Sequence, residues 1–500
     1  MQSALAQTVV DAWDRFGDDH VLIAPRAVTG RQLARLSRQW ADDLAGCGVG
    51  AGEPVALLGL PGPQTFAAFI ALRLAGAAVV LIEPAASSEV TSARLRSAGV
   101  RLLWASAPAA MAAGPLRRLA GRRGLHLPRL RDEGMVAAIG SAVPGLSRSL
   151  HGLRLPPRPD DVAGAVTGPG DAVVVPTSGT TSAPRSVVHT ESSISAAAAA
   201  IGALARFQPG DEVLASTFFA VLPATVAGAR VALPSSNVSR RAEQAAGATA
   251  VYLTPPELRS LLDAGVSFAG ARVYSGSAPV THTLLQRLRA AGAAQAWGVY
   301  ALTEMLPVSA VEADEKSAWV AGHSGDLLGR LLPDAQARVT DEGVIEVRGS
   351  MMASRYLGSP PLEWVHTGDL GALTQGGELV MHGRAKDMIL RRAENIYPGL
   401  YEPAWHIPGV RSALLIGVPD ADADEQVVAV VEPEPGVPAQ ALTAQLLAVA
   451  AQMGDHRPDH ILAAPIPLSG RSMKPDRAAA AVLAAAVLRG DQRPGAQVLL

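Results

Sequence analysis

Residues 55–84, VALLGLPGPQTFAAFIALRLAGAAVVLIEP, read as a strand, a helix and a second strand: VALLGL (55–60) and AAVVLIEP (77–84) are continuous apolar runs, and TFAAFIALRLAG (65–76) is a helix that ends at Gly76. Strands without polar alternation are buried on both faces, and two of them joined through a helix form a parallel βαβ unit. This stretch predicts an α/β fold. Upstream, GRQLARLSRQWADDLA (30–45) puts Leu33, Leu36, Trp40 and Leu44 on one helical stripe, with Thr29 as the N-cap. Downstream, residues 111–170 are rich in Arg, Pro and Gly and predict short helices and a connecting loop. DAVVVP (171–176) reads as a strand that runs into a polar, glycine-containing loop, followed by the helix ISAAAAAIGALARF (194–207). Between 325 and 385 the pattern changes to short strands and turns (GRLLPDAQARV, GVIEVRG, GELVMHG), which predict a small β-rich subdomain. After Lys386 the apolar strands SALLIGVP and QVVAVVEP and closing Ala-rich helices predict a region with its own core.

A chain of 500 residues exceeds what one core holds, so several domains are expected. The 49% hydrophobic and 18% charged content excludes disorder, and a net charge of -2 gives no electrostatic footprint for nucleic acid. The arginine-dense stretch from Arg117 to Arg131 reads either as a solvated face or as a surface for an acidic partner. One cysteine, Cys47, excludes an internal disulfide and fits a reducing compartment. The stretch MQSALAQTVVDAWDRFGDDH has no basic segment followed by an apolar run, so no Sec signal is expected there. The most membrane-like stretch, residues 214–234, contains Pro223 and Arg230 and reads as buried core rather than a span. The expectation is a soluble, cytoplasmic protein with no transmembrane segment. Lysine is scarce: Lys316, Lys386 and Lys474 are the only three among 43 basic residues. Arginine and lysine are not interchangeable in a site, so the positions that keep lysine carry information.

The loop TSGTTSAPRS (177–186) is crowded with hydroxyl side chains around one glycine and one cation. Such a loop can wrap phosphate oxygens with backbone N–H groups and hydroxyls while Arg185 balances charge. It lacks the glycine-lysine-Ser/Thr run of the common P-loop. Extended to TSGTTSAPRSVVHT, it resembles the phosphate-binding signature of the AMP-forming adenylating superfamily, which includes acyl-CoA synthetases, peptide-synthetase adenylation domains and luciferases. The family usually has glycine at Ser182 and Ser186 and lysine at Arg185; Arg185 keeps the charge.

The resemblance continues in order along the chain. YSGSAP (274–279) resembles the adenine-wall segment, usually written with two glycines, alanine and proline, and it assigns Ser277, Ala278 and Pro279 to the nucleotide. YALTE (300–304) resembles the tyrosine-glycine-x-threonine-glutamate motif, with Ala301 at the usual glycine. There the resemblance implies that Tyr300 stacks on adenine, Thr303 bonds the adenylate phosphate and Glu304 helps to hold magnesium, roles that suit a flat ring, a neutral donor and a hard oxygen ligand. HTGDL (366–370) matches the ribose segment through Asp369, and GRAKDMILRRAENIYP (383–398) follows at the family's spacing. Arg384 would approach ribose and phosphate, Lys386 would be the hinge of a rotating C-terminal domain, and Ala393 replaces a usual glycine. PLSGRSMKPDR (467–477) resembles the terminal lysine motif, with Lys474 as its catalytic residue. Two of the three lysines thus occupy family lysine positions.

The family implies a large N-terminal domain of stacked αβ subdomains plus a small β-barrel-like subdomain (1–385), followed by a small mobile α+β C-terminal domain (386–500). It also implies a reaction in two steps. An acid is activated with ATP and Mg2+ to an acyl adenylate, Thr177, Ser178, Gly179, Thr180, Thr181 and Arg185 gripping the phosphates; a thiol, coenzyme A in the main reading, then takes the acyl group. LPV after Glu304 and the insert GPLRRLAGRRG resemble long-chain acyl synthetases, including β-lactone-forming enzymes, and so suggest fatty acid metabolism. Alternative readings are β-lactone closure by the substrate's own hydroxyl, loading of an acyl carrier protein, and a degenerate protein that binds nucleotide or acyl group without catalysis. Phe218 and Phe219, in ASTFFAVLPATVAGA, fall where the family guards its acyl tunnel; core packing and pocket lining both remain open for them.

Overall fold

A computed structural model describes residues 3–23, 27–59, 61–82, 88–121, 129, 135–140, 148–157, 167–176, 185–215, 217–391, 394–419, 425–469 and 473–500. The chain forms two compact units: Met1–Leu253 with Thr303–Pro307 and Arg348–Val365, and Thr254–Leu302 with Val308–Val347 and His366–Leu500.

The first unit contains the predicted βαβ element. Strands Pro54–Leu58 and Ala78–Leu81 pair in parallel on either side of helix Pro63–Leu74, whose N1 proline has no N–H to leave unpaired. They belong to a seven-stranded sheet ordered Arg355–Tyr356, Ser186–Thr190, Asp171–Pro176, Ala78–Leu81, Pro54–Leu58, Leu102–Ser106, Val136–Ile139. Its five last-named strands run parallel, and Ser186–Thr190 runs opposite to both of its neighbours. The strand Val136–Ile139 lies in the stretch expected to hold only short helices and loop. The helix after Thr29 forms as expected, Gly30–Gly46, because Thr29 and Gln32 close a capping box; Leu33, Trp40 and Leu44 are buried on its inner face, with Ser37 taking the place expected of Leu36. The most membrane-like stretch is a strand, a helix and another strand, and among the described residues no helix is long and apolar enough to cross a membrane.

In the second unit, strands Gln295–Tyr300, Val365–Leu373 and Glu378–Arg384 belong to one sheet. A separate four-stranded sheet comprises Val410–Pro419, Glu425–Pro433, His460–Ala463 and Gln497–Val498. Within QVVAVVEP, residues 427–431 are apolar at every position because this sheet is covered twice. Val427, Ala429 and Val431 pack with Leu442, Leu446 and Val449 of helix Ala439–Gln452, while Val428 and Val430 pack with Ala480 and Ala484 of helix Arg477–Leu488. The buried third lysine, Lys316, serves structure: its Nζ is 2.7 Å from Asp326 and donates to the Leu327 carbonyl at 3.0 Å.

Gly383 and Gly399 let the chain return onto strand Glu378–Arg384. A Cβ on Gly399 would stand 2.7 Å from the Gly383 Cα, with no side chain there to move aside. Gly399→Ala is therefore expected to push turn Pro398–Leu400 off the strand and cost about 2 kcal/mol, read as a lowered thermal midpoint.

Candidate active site

The phosphate loop with Thr177, Ser178, Gly179, Thr180 and Thr181 lies outside the described residues, as do Ser182 and Ala393. The strands on either side of the loop, Asp171–Pro176 and Ser186–Thr190, pair antiparallel with Pro176 opposite Ser186, which holds the loop's two ends together. Asp171 is buried and takes a bidentate pair from Arg355, at 2.8 and 2.7 Å, which fixes the third strand beside them.

That third strand brings in a residue the motifs do not name. Tyr356 lies opposite Val187, its ring 5.2 Å from the exposed Arg185 guanidinium, and its hydroxyl donates to Glu304 Oε1 at 2.9 Å. Burial, and next the Glu304 carboxylate, push the phenol up to about 12, so Tyr356 stays a protonated donor. One tyrosine thus contacts the predicted phosphate cation and the predicted metal carboxylate. His189 is also unannounced by the motifs. Its Nε2 lies 2.8 Å from the Thr303 carbonyl, which can only accept, so Nε2 carries the proton and Nδ1, 3.3 Å from Ser193 Oγ, is the acceptor. Burial lowers the pKa of His189 and keeps it in this neutral form. It pins the backbone one residue before Glu304. Both signals were available in principle, as a histidine on the strand after the loop and a tyrosine on a cross-strand neighbour, but only the pairing register reveals the second.

In the second unit Asp369 is fully buried. Its Oδ2 accepts from the Tyr300 hydroxyl at 2.6 Å, and Arg384 Nε stands 2.8 Å from Oδ1. The sheet explains the pair: Asp369 and Arg384 are register partners on adjacent antiparallel strands. Although Arg384 is close, Oδ1 receives no well-aligned hydrogen bond from any described residue. A buried carboxylate oxygen in that condition has acceptor capacity left over beside its ion pair. Burial, followed by the charge and hydrogen bond of Asp369, raises the Tyr300 pKa well above the ordinary phenol value.

Lys474 is exposed on the short hairpin formed by Leu468–Ser469 and Lys474–Pro475, with Ser469 as its register partner. Its pKa is lowered from the ordinary 10.5, first by the protein that shields its ammonium from water and then by Arg384, with Asp369 acting oppositely and Lys386 adding to the depression. Lys474, Asp369, Arg384 and Lys386 are therefore near enough to share one electrostatic environment. Arg477 fixes the hairpin's far end, with Nε 3.1 Å from Asp387, Nη2 2.6 Å from Glu402 and Nη1 2.8 Å from the Leu415 carbonyl. Lys386 is exposed in the turn Ala385–Asp387.

Ser277, Ala278 and Pro279 follow strand Arg272–Ser275. Ser277 has φ +67°, the left-handed region that favours glycine, in a segment the family usually writes with two glycines. Phe218, half-buried, stacks on Phe66 with centroids 4.5 Å apart and meets Phe69 in a tilted contact at 4.2 Å; Phe219 is also half-buried. Among the described residues no three acidic, His or Cys groups cluster as a metal cage. Glu304, with one oxygen taken by Tyr356, fits a magnesium ion that draws its other ligands from phosphates and water.

A fold of this kind, with a hydroxyl-rich loop between paired strands and a buried acid held by an arginine and a tyrosine, belongs to the adenylate-forming ligases. The model of the AMP-binding enzymes matches residues 9–357, and the chain is a member of that family and an AMP-forming ligase. The fatty acid–[acyl-carrier-protein] ligase ScoC of Streptomyces coeruleorubidus is 28% identical over 453 residues, 83% of this chain and 84% of the relative. The long-chain-fatty-acid–CoA ligase FadD13 of Mycobacterium tuberculosis is 24% identical over 435 residues, 81% of this chain and 83% of the relative. Among solved structures, the amide bond synthetase McbA of Marinactinospora thermotolerans shares the fold, with a TM-score of 0.77, 23% identity and coverage of 96% of this chain and 99% of that one.

Replacing the strained serine should relieve the backbone: Ser277→Gly is expected to stabilise the protein by about 1 kcal/mol, seen as a higher midpoint in chemical denaturation.

Proposed function

We propose that the chain activates a carboxylic acid as an acyl adenylate and passes the acyl group to coenzyme A. The observation that carries this reading is the buried Asp369, held by Tyr300 and Arg384 with one oxygen still open to a hydroxyl donor, in the same electrostatic environment as Lys474. In the first step a substrate carboxylate oxygen bonds to the α-phosphorus of ATP and the bond to the bridging oxygen breaks, releasing pyrophosphate. In the second a thiolate sulfur bonds to the acyl carbon and AMP leaves.

Thr177, Ser178, Gly179, Thr180, Thr181 and Arg185 would hold the phosphates, and Thr303 the adenylate phosphate. Tyr300 would pack on the adenine beside Ser277, Ala278 and Pro279, while Asp369 accepts from the ribose hydroxyls and Arg384 adds positive charge. Lys474 would bridge the acid and the α-phosphate, where an ammonium offsets the charge that builds as the bond breaks. Magnesium at Glu304 would supply neutralisation of the phosphates. Lys386 would serve as the hinge between a domain of residues 1–385 and one of 386–500, so that Lys474 leaves before the thiol enters.

FadD13, named as a CoA ligase, supports coenzyme A as acceptor; ScoC, named as a carrier-protein ligase, supports a second reading in which a carrier-protein thiol takes the acyl group. ATP–pyrophosphate exchange over fatty, aryl, amino and β-hydroxy acids, followed by thioester detection with coenzyme A and with a carrier protein bearing a free phosphopantetheine thiol, separates these readings. Adenylate with no thioester in either arm would point to closure by the substrate's own hydroxyl, and ATP binding with no adenylate for any acid would defeat the catalytic reading.

Lys474→Ala is expected to lower exchange about 100- to 1000-fold and to spare ATP binding measured by calorimetry. The depressed Lys474 pKa also sets a sign: the charged amine is the active form, so exchange should decline on the alkaline side with a midpoint below 10.5, the ordinary lysine value. A flat profile up to that pH would remove Lys474 from the role.

A further inference from the structure

Strand Val410–Pro419 carries an irregularity that aims one arginine away from the sheet. Val410 pairs with Pro433 and Ser412 with Glu432, so two steps on one strand meet one on the other and Arg411 is the extra, bulged residue. Bulges redirect side chains in this way. Arg411 Nη1 reaches Asp263 Oδ2 at 2.6 Å, at the end of helix Pro255–Asp263, and its Nε lies 3.5 Å from Glu432 Oε1. The other Asp263 oxygen is 3.0 Å from Arg287 of helix His282–Ala290, and Arg287 also pairs with Glu434 at 2.6 Å. Arg259, one helical turn before Asp263, feels Arg411, Glu434, Glu432 and Arg287, so three acids face three arginines.

This network continues to the Lys474 hairpin. The second oxygen of Glu432 accepts from the Ile466 N–H at 3.0 Å, and Ile466 is buried two residues before the hairpin's first strand. None of these side chains lies in the nucleotide or acyl machinery described above. All are partly shielded, with side-chain exposures between 19 and 35% for the five in direct pairs, so losing one partner strands a charge in a poorly solvated place.

We propose that Asp263, Arg411 and Glu432 are positioning residues for the adenylation step, holding the C-terminal sheet on helix Pro255–Asp263 so that Lys474 stays beside Asp369 and Arg384. The inference rests on the two-step reading above. If residues 386–500 turn about Lys386 between the steps, this network must break for the second step, so it favours the first chemistry and opposes the second.

The test measures both half-reactions in the full-length protein. Asp263→Asn and Arg411→Gln are each expected to lower the maximal rate of ATP–pyrophosphate exchange about tenfold with little change in the KM for ATP. Thioester formation from synthetic acyl adenylate should be unchanged or faster. The double variant should lose little more than the worse single one, because both remove the same contact, and Arg411→Lys should recover part of the loss. A merely structural role would instead depress both half-reactions together; that result, or additive losses in the double variant, overturns the proposal. Amide hydrogen exchange is the independent measurement: Asp263→Asn should speed exchange at Ile466 and in residues 384–391 in protein whose global unfolding midpoint is retained, and no acceleration there also overturns it. Should wild-type protein exchange no pyrophosphate with any acid, the adenylation reading fails, and the amide data alone then decide whether the network holds the hairpin.

Discussion

A carboxylate taken wholly out of water needs partners, and the arrangement around Asp369 follows from that need. The adjacent strand supplies Arg384 through β register, and the end of strand Gln295–Tyr300 supplies a phenol. Both are delivered to the carboxylate by strands of the same sheet. With Oδ1 left without an aligned donor, the carboxylate is poised for a partner that can place a hydroxyl there. The same strand pair ends at the turn bearing Lys386, after which the chain continues toward the region that carries Lys474.

Much of this could be read from residue order. Continuous apolar runs at 55–60 and 77–84 identified the parallel unit, and Thr29 marked a helix start, to which the structure adds the reciprocal bond from Gln32. The apolar run QVVAVVEP was legible as a buried strand, although only the packing of two helices explains why neither face alternates. Tyr300, Asp369, Arg384 and Lys474 were legible because each sits in a local motif with its own spacing.

Residues that act across strands were not legible. Tyr356 meets Glu304 and Arg185 through pairing of Arg355–Tyr356 with Ser186–Thr190, a relation between segments about 170 positions apart that no local pattern encodes. His189 sits inside the quoted phosphate signature, yet its service to the Thr303 carbonyl emerges only from folding. Arg411 was hidden for a related reason: alternation along SALLIGVP gives no sign of a bulge one residue earlier. The third lysine, without a motif, proved to be a buried ion-pair partner of Asp326.

That near-absence of lysine has a practical side. With Lys316 sealed against Asp326, the exposed side-chain amines are Lys386 and Lys474, one at the turn and one on the hairpin. Reagents that acylate the side-chain amines would therefore report on these two positions, and a change in labelling of one but not the other would tell the turn from the hairpin. That chemical handle follows from a chain in which arginine supplies all but three of its 43 basic side chains.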